Sequence, residues 1–234
     1  MIRTFFNSFR KALCNRMVYI CSTFSIVLIV QGNVHILTNG HTFNIIQASN
    51  MLFSVSIYMV FAGVLCALPS LKYSHEVRGG NILTAYLSGV LVQILSMGII
   101  SALLAVICKK ADGEYVLSIS EIEWRHLAEI GGGYLFLLVR NILAALFAGW
   151  WGMCGLIIGT VVKEEFKSAL VTAFLYQFIW FMTVDTKLNI CYISVALYGT
   201  SLAPSDMFLL NISATIIFCV TLNFLGRRGS DALF

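Results

Sequence analysis

The chain of 234 residues contains a single adjacent acidic pair, Glu164-Glu165. Paired carboxylates can divide acid and base roles when their surroundings push their pKa values apart. In intramembrane CAAX-type proteases such a pair is followed by an arginine after three intervening residues, with a histidine in a later span. Here the continuation is Phe166-Lys167-Ser168-Ala169, and no histidine follows, so the pair reads as a solvated charged turn. The four histidines, His35, His41, His75 and His126, are far apart and form no HExxH pair, which argues against a zinc enzyme. Seven cysteines show no CxxC spacing and read as small hydrophobes. No G-x-x-x-x-G-K-[ST] loop occurs, so the chain lacks the usual backbone cradle for ATP. ATP-driven work would need a partner.

Two features lie inside apolar runs. Arg140 interrupts the fourth run about two turns from one end. A charge there is costly and is by default a functional hypothesis. Its partner could be Glu129 or Asp185, or the side chain could snorkel to the interface. Further along the same run, Gly149, Gly152, Gly155 and Gly159 recur at three- and four-residue spacing. Such a stripe lets helix backbones approach closely in lipid, and the neighbour could lie within the chain or across a dimer.

The elements that must position these residues follow from composition. Hydrophobic residues make up 59% of the chain and charged residues 11%, against about 25% charged in soluble domains. The unit to count is the apolar stretch of about 20 residues that crosses a bilayer. This predicts an all-α integral membrane protein with six spans at about 17–37, 50–71, 88–108, 133–162, 168–185 and 207–226. Basic residues precede the first run, but no small-residue cleavage site follows, so it reads as a retained helix.

The positive-inside rule sets orientation. Arg3, Arg10, Lys11, Arg16, Lys72, Arg78, Lys163, Lys167, Arg227 and Arg228 fall on one side; Lys109, Lys110, Arg125 and Lys187 fall on the other. The richer side, carrying both termini, is therefore expected to be cytoplasmic. Net charge of +4 belongs to this topology and not to nucleic-acid binding. Residues 1–16 place Ile2, Phe5, Phe6, Phe9 and Leu13 at helical spacing among cations, which predicts an interfacial helix on the inner leaflet. On the outer side, an Ile119-Ile122-His126 face opposite Glu121, Glu123 and Arg125 suggests a short surface helix, and Pro204 a break before the last span.

Between the second and third spans, Lys72-Tyr73-Ser74-His75-Glu76-Val77-Arg78-Gly79-Gly80-Asn81-Ile82 is short and mixed in polarity. With Glu76 followed by Gly80, it resembles the cytoplasmic elbow of ABC-2 type transporter permeases, which carries a Glu-x-x-x-Gly pattern before the third span. The basic amphipathic N-terminus, the six spans and the glycine-rich fourth span extend the resemblance over essentially the whole chain. Where family members carry basic residues after the elbow, this chain reads Ala85 to Gln93 without charge. That would leave Asn81 to Gly89 in the interface and start the third span near Val90.

The resemblance implies a permease in a bacterial plasma membrane, working as a dimer with a second copy or a paralogue. No cofactor belongs to the chain; ATP and Mg belong to a separate nucleotide-binding ATPase subunit. It also implies that Tyr73, His75, Glu76, Arg78 and Gly80 couple the two. A membrane enzyme or a non-transporting scaffold is the alternative.

Overall fold

The computed structural model describes residues 2–31, 33–53, 56–74, 79–111, 113, 116, 119, 122–183 and 203–231. These residues form ten α-helices: α1 (Ile2–Leu13), α2 (Arg16–Gln31), α3 (Val34–Thr38), α4 (Ile45–Phe53), α5 (Ser56–Leu71), α6 (Gly79–Ile107), α7 (Ile122–Glu129), α8 (Tyr134–Val162), α9 (Glu165–Thr183) and α10 (Pro204–Asp231). No strand occurs among the described residues, which hold one isolated bridge, Asn44 to Lys109.

Helix α8 is the hub. α6 lies antiparallel against it, because a Cβ on Gly152 would collide with the Ala85 carbonyl and one on Gly89 with the Ala148 carbonyl. The contact is reciprocal, each backbone entering a notch that only hydrogen leaves open. α5 packs on the same glycine stripe further along: a Cβ on Gly155 would lie 2.7 Å from the Ala67 oxygen. All four stripe glycines meet neighbours within the chain: Tyr86 at Gly149, Ala85 at Gly152, Ala67 at Gly155 and Ser74 at Gly159.

The helix ends explain the turns. α8 stops at Lys163, whose φ of 58° is left-handed and whose amide donates to Gly159 O, an αL-type termination on a residue other than glycine. α8 begins after Gly131, Gly132 and Gly133, with φ of 76°, 64° and 93°. That run of left-handed backbone suits glycine. At the same end, Ile45 N donates to Lys109 O and Lys109 N to Phe43 O, clamping the start of α4 to the end of α6.

Polarity is inverted relative to a soluble domain. Ser22, Ser25, Ser49, Ser88, Gln93, Ser96, Arg140 and Asn211 are buried, whereas Phe24, Ile99, Val106, Phe174, Phe178, Ile216 and Ile217 are exposed. Water would penalise that outer surface and lipid would not. Asn81–Ile107 and Tyr134–Val162 are long and apolar enough to cross a membrane, and the α1–α2 pair, bent by 57°, makes a third if it counts as one span. These apolar helices fit an α-helical membrane protein.

Residues 81–89 continue without a break into the rest of α6, which runs from Gly79, and their uncharged stretch carries Ala85 and Gly89, which seat the helix on α8. The short helix expected around Ile122 is α7, and Ile119 just before it packs on the core. Ile122 and His126 are exposed, while Trp124 and Ala128 are buried, the indole 5.0 Å from the Phe136 ring. Aromatic area at i and small size at i+4 make the buried face.

Candidate functional site

Two polar assemblies stand out, one toward each end of α8. The first is built on Arg140, six residues into the helix and so roughly 9 Å along it. Its side chain is fully buried and does not snorkel. Nη1 donates to Asn50 Oδ1 and Nη2 to Ser49 Oγ, each at 2.5 Å, and the guanidinium lies 5.3 Å from the Phe136 ring centroid. Ser49 spends its own proton on Ile46 O at 2.9 Å, which leaves its oxygen free to accept. A charge at the centre of a span costs about 3 kcal/mol, an upper bound for Arg140, about two turns from the helix end. Hydrogen bonds to a charged group return about 1.5–3 kcal/mol each, so the bonds to Ser49 and Asn50 offset a cost of that size.

The two acids considered for Arg140 serve elsewhere or fall outside. Glu129 Oε2 lies 3.4 Å from His126 Nδ1 on the surface, and Asp185 lies outside the described residues. Beside Arg140, Asn141 Nδ2 donates to Ser101 Oγ at 2.7 Å, so a polar layer joins α4, α6 and α8. Ser49-Asn50 was the signal for it: an adjacent polar pair inside an apolar run.

The second assembly surrounds the turn after α5. Asn15, 2% exposed, donates from Nδ2 to Pro69 O at 2.8 Å. That carbonyl belongs to the last turn of α5, where helix acceptors have no partner of their own. The Tyr73 hydroxyl donates to Lys11 O at 3.3 Å, and Ser70 Oγ to Ala85 O at 3.3 Å. A Cβ on Gly159 would stand 2.7 Å from Ser74 Cβ. Residues 67–74 are thereby fastened to α1, α6 and α8 together. Burial pushes the Tyr73 phenol above its usual range, against the bond to Asn15 that lowers it.

Of the coupling residues expected from sequence, Tyr73 sits in this turn, Gly80 lies in the first turn of α6, and His75, Glu76 and Arg78 lie outside the described residues. The glycine stripe meets the turn through Gly159, while Arg140 stands near the opposite end of α8. The Glu164-Glu165 turn is solvated: Glu164 pairs with Lys167 at 2.6 Å, both half-exposed or more. Among the described residues no three His, Cys, Asp or Glu side chains cluster as a metal site would require. No family model, curated protein or solved structure matches the chain.

Proposed function

We propose that this chain is the membrane-spanning subunit of an ATP-driven ABC-2 type exporter, with ATP and Mg bound by a separate ATPase subunit. The observation that carries the reading is the braced turn. A coupling element has to be short, stiff and fixed to more than one helix, and residues 67–74 are tied by Asn15, Tyr73, Ser70 and Gly159 to three others.

Charge placement adds support. Arg3, Arg10, Lys11, Arg16, Lys72, Lys163 and Lys167 gather at the end of the bundle that holds this turn, and Lys109, Lys110 and Arg125 at the other. By the positive-inside rule the braced end is cytoplasmic. The reading then has six spans, with α2, α4–α5, α6, α8, α9 and α10 crossing in turn and both termini inside. The cargo path runs between two permease copies in a bacterial plasma membrane. Its apolar and aromatic surroundings suit a hydrophobic or amphipathic cargo.

A non-transporting scaffold or membrane enzyme is the second reading, favoured by the buried polar layer at Arg140. The test that separates them is photo-crosslinking from position 76 in intact membranes. The exporter reading expects a product with a nucleotide-binding subunit carrying a phosphate loop. A chain that crosslinks only to itself or to lipid from that position contradicts it.

A further inference from the structure

We infer that α1 is a docking surface for anionic phospholipid, its cations meeting headgroup phosphates while Phe5 and Phe6 enter the acyl region. The inference rests on the membrane reading of the chain and needs no ATPase. Placed at 100° per residue, the side chains of α1 divide into three sectors. Ser8 and Ala12 face the protein and are buried. Next come Phe5, Phe9, Leu13 and Phe6. The remaining arc holds Arg10, Arg3, Asn7 and Lys11, all exposed. Phe5 is 44% and Phe6 63% exposed, although Phe9 and Leu13 beside them pack on the core. The open apolar strip thus lies between the protein contact and the cationic arc, the order required of a helix resting on a bilayer beside a bundle.

Three further observations favour anionic lipid over another occupant. The first acidic residue of the whole sequence is Glu76, so no carboxylate precedes it to neutralise the helix. Among the described residues, neither Arg3, Arg10 nor Lys11 pairs with one. Around the α8–α9 turn at this end a second copy of the chain would offer the carboxylate of Glu165 beside Lys163, with Glu164 already paired with Lys167. Finally, α1 is held in place. It meets α2 at 57°, and Asn15 to Pro69 and Tyr73 to Lys11 O fix its C-terminal end. The strip is presented at a set angle to the bundle and does not have to be ordered on contact.

The test is native mass spectrometry of the full chain, purified in a neutral detergent without nucleotide and titrated with phosphatidylglycerol or phosphatidylcholine. The expected result is retention of phosphatidylglycerol greater by well over tenfold, on the order of fivefold for each of the three cations, falling with salt. The Arg3→Gln/Arg10→Gln/Lys11→Gln variant should lose at least about tenfold of that preference, since each basic residue near an anionic surface contributes roughly fivefold. Phe5→Ser/Phe6→Ser should weaken retention of both lipids. If the triple variant fails to fold, single Arg3→Gln and Arg10→Gln variants carry the test, each reducing the preference by about fivefold. Equal retention of the two lipids by the wild type, or an undiminished preference in a variant with wild-type Tm, overturns the inference. Failure to retain either lipid overturns both the inference and the membrane reading beneath it.

Discussion

Arg140 shows how a buried charge in a membrane helix can draw on neutral side chains of a neighbouring helix. Its fork spans two acceptors, Ser49 Oγ and Asn50 Oδ1, on adjacent residues of α4, a geometry that a lysine point charge cannot reproduce. Arg140→Leu removes a costly charge as well as two hydrogen bonds, and the two effects are of similar size, about 3 kcal/mol each way. The variant is therefore expected to accumulate in membranes as the wild type does. It should nevertheless lose the tie between α4 and α8 and, in an exporter, most of its transport. Membrane abundance and ATP-dependent efflux measured side by side check this; full efflux in the variant contradicts a functional role. The sequence pointed to Arg140 but not to its partners. A charge suggests a carboxylate, and Ser and Asn inside an apolar run carry no charge to draw attention to them.

At the scale of elements, the glycine stripe of α8 determines how closely α5 and α6 approach. Its spacing was legible in the sequence, since three- and four-residue intervals define one helix face. Its partner was not, because Ala85 and Gly89 lie in a stretch distinguished only by the absence of charge. The unbroken α6 follows from that contact. Gly152→Ala places a methyl group against the Ala85 carbonyl oxygen, where backbone and not a flexible side chain must give way. A loss of at least about 2 kcal/mol is expected, within the range for overpacking. Gly98 has nothing within 4 Å of its Cβ position, so Gly98→Ala should be neutral or stabilising by up to about 1 kcal/mol from helix propensity. Thermal unfolding in one detergent compares the two, and equal Tm values would show that the close approach does not matter. The short helix α7 was legible, but its anchor was not: the 5.0 Å Trp124 to Phe136 contact depends on where α8 begins.

For the whole molecule, the apolar runs and the distribution of Lys and Arg predicted a helical membrane protein, and the inside-out polarity of the bundle agrees with that. The braces around residues 67–74 could not be foreseen, because Asn15 and Pro69 are 54 positions apart and a single asparagine gives no periodic signal. Those braces are the physical basis for the exporter proposal. A push on the turn would be transmitted to α1, α6 and α8 as one body, whereas a slack loop would absorb it. On that proposal ATP is bound by a separate subunit, in keeping with the lack of a phosphate loop in these 234 residues. The most direct test is ATP hydrolysis by the complex purified through this chain. The account predicts Mg-dependent hydrolysis that is lost when Glu76 and Arg78 are both replaced by alanine, with the chain still folded. A chain that purifies alone, stable and without ATPase activity, would contradict it.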